Sequence, residues 1–265
     1  MNFHSNLIQK QLIRTMKRLG LITMLFISLL SYGEIIQFSA AEKDSIVLAN
    51  STSVVEWKSL NTTNSMTVVH RNAFDWSLPT LSNYKISFLN ASPLEFSSSE
   101  SSTYAKIFLV AKVVDAKPWV TLVDADAGLS VLPDVFATSN NDKFQFYKSS
   151  NDYEIYINGE QTTLVSLNQD FIVELSLNES SNLSNVFIGG SPASSEWERS
   201  WNGDIYEILF VNQELTVEQY SAIYTYLSIR HKIPVSVAPC DNAYAILKGL
   251  NVKSSPAFTT MILWR

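Results

Sequence analysis

Short strands separated by clusters of turn residues are the feature that most constrains what this chain can fold into. From Asp44 onward, apolar and β-branched residues alternate with polar ones over segments that Ser, Asn, Asp and Gly interrupt. Alternation with a period of two is typical of a strand with one buried face. No helical pattern separates these strands, so they predict an antiparallel β-sandwich. The predicted strands include YKISFLN (84–90), YAKIFLVAKVV (104–114), PWVTLVD (118–124), KFQFYKS (143–149), DYEIYI (152–157), DFIVELSL (170–177), NVFIGG (185–190) and GDIYEILFV (203–211).

One short helix is predicted after the last clear strand, in TVEQYSAIYTYLSIRHK from Thr216. Thr216 and Gln219 have the spacing of a capping box, in which each side chain accepts a hydrogen bond from the other residue's backbone N–H. Apolar residues then recur every three or four positions, which gives one apolar face, and Pro234 ends the pattern. The tail from residue 235 to 265 is expected to add one or two strands, AYAILKG and FTTMILW, to a sheet edge.

The N-terminal region has the pattern of a secretory signal peptide. An uncharged run, LGLITMLFISLLSYG, follows four basic residues: Lys10, Arg14, Lys17 and Arg18. The run is shorter than the roughly 18 apolar residues that a spanning helix needs, which favours cleavage over a retained signal anchor. Small residues suited to cleavage occur at Ser31-Tyr32-Gly33 and again at Ser39-Ala40-Ala41.

These observations divide the chain into a signal peptide and leader (1–41), a sandwich domain (42–234) and a C-terminal extension (235–265). Cleavage leaves no membrane span, so we expect a secreted or cell-surface protein, periplasmic in a Gram-negative source. Hydrophobic residues make up 46% of the chain, which suffices for a large core. The net charge of −6 gives no basic surface for nucleic acid. Cys240 is the single cysteine, which excludes an intramolecular disulfide.

A series of motifs resembles one known family. IYINGE, NVFIGG and WNGDIYEILFVNQELTVEQYSAIYTYLSIRHKIP occur in the order found in laminin-G-like, concanavalin A-type jelly-roll modules. Upstream, VVEWKSLN (54–61) resembles the opening of that module, with Ser59 where Asp is common. ISFLNASPLEF (86–96) resembles its next strand pair, with Asn90 where Gly is common. The resemblance covers residues 45 to 234. It implies a two-sheet antiparallel sandwich in an exported protein that binds glycans or proteins, often near Ca²⁺.

The laminarinase-type glucanases, a branch with the same fold, carry E-x-D-x-x-E on one strand. This chain has N-G-D-I-Y-E, with Asn202 at the position of the nucleophile. An amide cannot form the glycosyl ester that a retaining mechanism requires. Residues three apart on a regular strand also point to opposite faces, so Asp204 and Glu207 converge only if a bulge intervenes. We therefore expect both carboxylates to be structural, with Glu207 accepting hydrogen bonds from loop or helix-end groups, and the chain not to be an enzyme.

Two acidic loops give the sequence its candidate metal ligands. Asp124 and Asp126 precede Gly128, and Asp142 lies in a later loop that can face the same end of the sandwich. Ca²⁺ takes six to eight oxygen ligands, and acidic loops with a glycine can supply them. Two solvated turns are the alternative interpretation.

Sugar binding by this fold uses aromatic rings and loop-tip amides, because sugar C–H faces stack on rings while hydroxyls need hydrogen bonds. Trp197 and Trp119 are the candidate rings and Asn141 the candidate amide. Trp201 matches a position that packs inside the fold, so we expect it to be buried.

The leading hypothesis is an exported, non-catalytic module that recognises a glycan or glycoprotein, with or without Ca²⁺. The second is a structural or adhesive domain that binds a protein partner through a sheet edge or loop rim. An unusual glycosidase is the third. Fold membership alone does not decide among them.

Overall fold

A computed structural model describes residues 35–69, 77–97, 103–114, 121–125, 136–140, 143–147, 153–182, 185–191 and 200–253. The chain divides into two units, residues 1–33 and 34–265. Every described residue belongs to the second unit, and the apolar run of the predicted signal peptide, residues 19–33, lies outside the described residues.

The second unit contains sixteen strands and two α-helices within the described residues. The strands are β1 (Ile35–Ser39), β2 (Ile46–Leu48), β3 (Val54–Lys58), β4 (Ser65–Val68), β5 (Thr80–Ser82), β6 (Lys85–Ser87), β7 (Leu94–Ser97), β8 (Thr103–Val113), β9 (Val123–Ala125), β10 (Phe136–Asn140), β11 (Lys143–Tyr147), β12 (Tyr153–Ile157), β13 (Leu164–Ser166), β14 (Asp170–Asn182), β15 (Asn185–Ile188) and β16 (Gly203–Val211). The helices are α1 (Val217–His231) and α2 (Ala243–Gly249), and Lys43–Ser45 forms a 3₁₀ turn.

Two large antiparallel sheets form the sandwich. The seven-stranded sheet has the order β12-β14-β8-β16-β6-β5, and β1 also pairs with β16. The six-stranded sheet has the order β2-β3-β4-β7-β15-β9, and a smaller sheet has the order β10-β11-β13. The structure therefore confirms the predicted all-β, two-sheet antiparallel sandwich with a C-terminal helix packed on it.

The main hydrophobic core lies between the two large sheets and is rich in aromatic rings. Phe210 of β16 stacks on Phe96 of β7 with ring centroids 4.7 Å apart. Phe38 of β1 meets Phe96, Phe210 and Trp57 edge to face, at 5.9 to 6.1 Å. Offset and edge-to-face ring pairs stabilise a core beyond the area they bury. A chain that cannot form an intramolecular disulfide rests on this packing.

A second hydrophobic core lies on the opposite face of the seven-stranded sheet, under α1 and α2. Phe108 and Val110 of β8 point into this second core, whereas Ile107 and Leu109 point into the first. Because both faces of β8 are buried, its sequence is a nearly continuous apolar run with little alternation. Where the helices cover it, the seven-stranded sheet is thus the middle of three layers, between the six-stranded sheet and the helices.

Local signals in the sequence account for the start of α1 and for the tight turn after β12. Thr216 accepts a hydrogen bond from the Gln219 N–H and Gln219 accepts one from the Thr216 N–H, which confirms the capping box. Lys232 ends α1 in a left-handed conformation with φ of 58°. Asn158 and Gly159, with φ of 53° and 85°, form the tight turn that follows β12. A side chain at Gly159 would also meet Val237, so packing adds to the turn's need for glycine.

The domain begins earlier than the predicted boundary at residue 42. Ile35–Ser39 pairs antiparallel with Glu207–Val211, and all five residues are buried. The hydrophobic signal of this segment was assigned to the leader because it follows the apolar run of the signal peptide. Its apolar side chains instead fill the sandwich: Phe38 and Ile36 lie in the first core and Ile35 in the second.

The predicted strand AYAILKG is wrong, because Ala243–Gly249 forms α2. Ala243, Leu247 and Leu250 are buried in the second core, and their spacing of four and three residues is that of a helix face. The other predicted strand of the tail, FTTMILW, lies outside the described residues.

Candidate functional site

A β-bulge in β16 places Asp204 and Glu207 on the same face of the sheet. The pairing of β16 with β8 shifts register between Ile205 and Glu207. Ile205 and Ile208 point into the core between the sheets, whereas Tyr206 packs against the core under the helices. Opposite faces were expected for a regular strand, and the bulge is the exception that brings both carboxylates to one face, since an extra residue in a bulge reverses the alternation beyond it.

Glu207 nevertheless lies in a closed network beneath the C-terminal end of α1. Its side chain is fully buried, and Arg230 Nε and His231 Nε2 contact Oε2 at 3.2 and 2.7 Å. Tyr226 Oη and Gln37 Nε2 each donate to Oε1, at 2.7 Å. These contacts confirm the expectation that helix-end groups hydrogen-bond Glu207. The network ties β1, β16 and α1 together, and the Glu207 side chain within it is 0% exposed.

The network keeps Glu207 ionised. Burial alone would raise the pKa of Glu207, but the His231 hydrogen bond, the charge of Arg230 and the Tyr226 hydrogen bond outweigh burial. The pKa of this carboxyl is consequently lowered from its ordinary value of 4.5. Burial and the negative charge of Glu207 also raise the pKa of Tyr226 well above 10.0, so Tyr226 remains a hydrogen-bond donor. A carboxyl kept charged in this way is a poor proton donor for a glycosidic oxygen.

A second buried carboxylate, Glu174 of β14, lies under the middle of α1. Tyr220 Oη and Tyr224 Oη both donate to its Oε2 at 2.8 Å, and Lys106 Nζ contacts its Oε1 at 2.9 Å. Burial, then the charge of Glu174, raises the pKa of both tyrosines. Pairing and hydrogen bonding compensate for the cost of burying a charge. This network and that of Glu207 fix α1 on the sheet.

Asp204 belongs to a row of polar residues that crosses β6, β16, β8 and β14 on the same face of the sheet as Glu207. The register places Asp204 opposite Ser87 of β6 on one side and Lys112 of β8 on the other, and Lys112 opposite Asp170 of β14. Ser87 Oγ donates to Asp204, and Lys85 Nζ contacts it at 2.6 Å. Tyr206 Oη donates to Asp170 at 2.9 Å. We call this set the sheet-face patch: Lys85, Ser87, Lys112, Asp170, Asp204 and Tyr206.

The sheet-face patch differs from the Glu207 network in its accessibility. Asp170 is exposed, and Lys85, Lys112 and Tyr206 are partly exposed, while Asp204 lies beneath them at 3% exposure. The patch alternates in charge from strand to strand, and it makes an open polar surface on a face that α1 otherwise covers.

One end of the sandwich collects the residues that flank the predicted ligand-binding tryptophans. The Trp201 N–H donates to Gly189 O and the Gly189 N–H donates to Leu122 O, at 3.0 and 2.8 Å. The Val114 N–H donates to Asn202 O at 2.9 Å, and Ser200 Oγ lies within hydrogen-bond distance of both Phe88 O and Ala91 O, at 2.8 and 2.9 Å. We call this set the rim: Phe88, Ala91, Val114, Leu122, Gly189, Ser200, Trp201 and Asn202.

The rim holds an unpaired buried group. Asn202 is 2% exposed, and its Oδ1 has no hydrogen-bond partner among the described residues. Such groups are rare in folded proteins, because an unpaired buried carbonyl loses its hydration without compensation. Trp201, by contrast, is fully buried and stacks on Phe146 at 6.4 Å, as expected for a packing residue.

The predicted ligand residues themselves lie mostly outside the described residues. Trp119, Asn141 and Trp197 do so, as do two of the three candidate metal ligands, Asp126 and Asp142. The flanks of both tryptophans are described: 115–120 lies between Val114 and Thr121, and 192–199 lies between Ser191 and Ser200. Val114, Leu122, Gly189 and Ser200 belong to the rim, so the described chain on both sides of each of these two segments reaches the same end of the sandwich.

Asp124 lies on a strand, in agreement with its place at the end of the predicted strand PWVTLVD (118–124). It lies on β9 opposite Phe187, is 5% exposed and accepts a hydrogen bond from Ser191 Oγ. The described residues contain no group of three or more His, Cys, Asp or Glu placed to hold a metal ion. Asp124 could therefore supply a carboxylate to a calcium site only together with ligands from outside the described residues.

Sequence reasoning missed one exposed aromatic residue beside the sheet-face patch. Tyr84 is 60% exposed at the tip of the hairpin between β5 and β6, and Lys43 Nζ lies 5.9 Å from its ring centroid. The available signal was the two-residue turn Asn83-Tyr84 between the short strands TLS and KIS. The predicted strand YKISFLN (84–90) includes Tyr84, because Tyr84 begins its alternating pattern.

Two grooves lie elsewhere, on either side of Pro234 and Val235 after α1. Their volumes are about 370 and 230 Å³. The larger is lined by the Asn158 turn and Leu164, and neither contains a residue of the rim or the sheet-face patch. In the described part of the chain, neither helix has the length and apolar character that a bilayer crossing requires.

Comparisons with known proteins identify no family. No family model matches the chain, and no curated protein matches it either. Among solved structures, Trypanosoma rangeli sialidase in complex with sialic acid matches at 8% identity and a TM-score of 0.45, over 76% of this chain and 34% of that one. The same enzyme with 2,3-difluoro-KDN matches at 10% identity and a TM-score of 0.39, over 68% of this chain and 30% of that one.

The chain thus spans about a third of the solved chains that it matches. At these identities and TM-scores the likeness carries no argument about function. The laminin-G-like resemblance accordingly depends on the order of the sequence motifs and on the two antiparallel sheets that the structure shows.

Proposed function

We propose that this chain is an exported, non-catalytic module that recognises a glycan or glycoprotein through the rim. The observation that carries the proposal is the convergence of the flanks of Trp119 and Trp197 on the end of the sandwich where the Asn202 amide oxygen is buried and unpaired. Rings and amide groups brought to one place are what sugar recognition requires, since C–H faces stack and hydroxyls need partners.

The engagement of the two carboxylates supports the non-catalytic part of the proposal. Glu207 is fully buried and held by Arg230 and His231, and Asp204 is held by Lys85 and Ser87. Neither carboxyl has the free geometry that an acid and a nucleophile need on opposite sides of a glycosidic bond. The side chain at the first motif position, Asn202, is an amide and cannot act as the nucleophile.

The proposal includes Ca²⁺ as an ion that would assist ligand binding without being required for it. Asp124, with Asp126 and Asp142, is the ligand set that the sequence motifs suggest, and hard oxygen donors of this kind suit Ca²⁺. In the family that the chain resembles, such a cation lies close to the ligand site, so chelation is expected to weaken binding if the ion is bound.

A glycan array probed with the purified chain, with and without EGTA, tests the proposal. We expect retention of specific glycans, and loss of most of that signal in Trp197→Ala. Tyr244→Ala is the matched control, because Tyr244 is an exposed ring on α2 and belongs neither to the rim nor to the sheet-face patch. No retained glycan, or a signal that Trp119→Ala and Trp197→Ala both leave intact, would overturn recognition through the rim.

A further inference from the structure

The hairpin between β5 and β6 holds an exposed tyrosine in an unfavourable backbone conformation. Asn83 and Tyr84 occupy its two-residue turn with φ of 46° and 64°. A turn with two positive φ angles usually carries Asn followed by Gly, because a side chain at the second position is strained. Tyr84 is 60% exposed, so its burial does not compensate for that strain. Strain retained without a packing reason points to a function for the ring.

The surroundings of Tyr84 suit the ring of a sugar. Lys43 lies over its ring, and the next residue, Lys85, contacts Asp204 in the sheet-face patch. An aromatic face accepts the C–H groups of a pyranose, while amines and carboxylates nearby hydrogen-bond its hydroxyls. Lys112 and Asp170 continue the same patch and are at least partly exposed, so they remain accessible as donor and acceptor.

The extent of this surface indicates the size of the ligand. Lys85 lies on β6 and Asp170 on β14, three strand intervals apart in the sheet. At about 4.8 Å per interval, the patch is about 14 Å wide, which exceeds a single pyranose ring. We propose that Tyr84 and the sheet-face patch form a second binding site, for a short oligosaccharide. The ligand class rests on the proposed function, whereas the location is independent of the rim.

NMR titration of the ¹⁵N-labelled chain tests this site with four probes: cellotriose, maltotriose, laminaritriose and N,N′,N″-triacetylchitotriose. We expect at least one trisaccharide to shift the amide signals of residues 84–87, 112 and 170, and methyl glucoside to bind more weakly. Tyr84→Gly is expected to weaken that binding about tenfold, as loss of one aromatic contact does.

Tyr84→Gly also separates binding from folding. Glycine relieves the positive φ at this turn, so the variant is expected to melt no lower than the native chain while it binds less. Tyr244→Ala, which removes an exposed ring elsewhere, is expected to change neither property.

The outcomes distinguish this inference from the proposed function. If none of the four trisaccharides shifts the signals of the patch, or if Tyr84→Gly binds as the native chain does, the second site is wrong. Array binding that depends on Trp197 would then still support recognition at the rim. If the trisaccharides shift the patch while Trp119→Ala and Trp197→Ala leave the array signal intact, the rim is wrong and the second site stands.

Discussion

Removal of the Glu207 charge is expected to destabilise the fold strongly. Glu207→Gln keeps the size of the side chain and an oxygen for Gln37 and Tyr226, but it places a neutral amide against Arg230 and His231. Breaking a buried ion pair by changing one partner costs about 3–5 kcal/mol, because the remaining charge is desolvated without compensation. For a domain of this size each kcal/mol lowers Tm by about 2–4 °C, so we expect a decrease of about 6–20 °C.

Urea unfolding followed by circular dichroism measures this change in the free energy of unfolding. Glu214→Gln is the matched control, since Glu214 is exposed and its substitution is expected to change stability by less than about 0.5 kcal/mol. A loss of less than about 1 kcal/mol in Glu207→Gln would refute the view that this carboxylate anchors α1.

The pH dependence gives a second check on the same residue. The folded-state pKa of Glu207 is below its unfolded value, so its contribution is fully present above about 4.5 and is lost as pH falls through the folded-state pKa. The stability difference between the native chain and Glu207→Gln is therefore expected to be largest at neutral pH and to shrink below pH 4.5. A difference that stays constant from neutral to acidic pH would contradict the assigned ionisation.

Three further predictions test the fold. Gly189→Ala is expected to lose about 1–3 kcal/mol, because Gly189 has φ of 79° and an added Cβ would overlap an aromatic ring; Gly249→Ala, where an added Cβ meets open space, is the control, and equal melting of the two variants would refute the argument. Thr216→Ala should cost about 1 kcal/mol in urea unfolding through loss of the helix cap, and an unchanged midpoint would count against it. Mass spectrometry of the chain expressed with its predicted signal peptide should find an N-terminus at or before Ile35, since β1 completes the sheet; a start after Ile35 would contradict this.

Local patterns were sufficient to predict most of the architecture. The tight turn at Asn158-Gly159, the capping box at Thr216 and β16 itself follow from turn chemistry, capping and alternation within short windows. These features are set by residues close in sequence, so a single sequence contains their physical causes. The burial of Trp201 is a prediction of another kind, because it rests on the family resemblance.

The features that sequence reasoning missed depend on distant partners. The bulge at Tyr206 arises from the pairing of β16 with β8, which lies about a hundred residues earlier. No residue close to Tyr206 in the sequence indicates this bulge. The pairing of Ile35–Ser39 with β16 likewise joins segments 170 residues apart, as between Gln37 and Glu207. The helix at Ala243–Gly249 is different, because the spacing of Ala243, Leu247 and Leu250 is local and indicates a helix face.

Recovery of bound glycans after long incubation tests most directly the claim that this sandwich binds sugars without cleaving them. Glycans that the array retains would be incubated with the native chain and with Asp204→Asn, then analysed by mass spectrometry. The account predicts that every glycan is recovered intact from both. Shortened glycans formed by the native chain, and absent with an Asp204→Asn variant that circular dichroism shows to be folded, would contradict it.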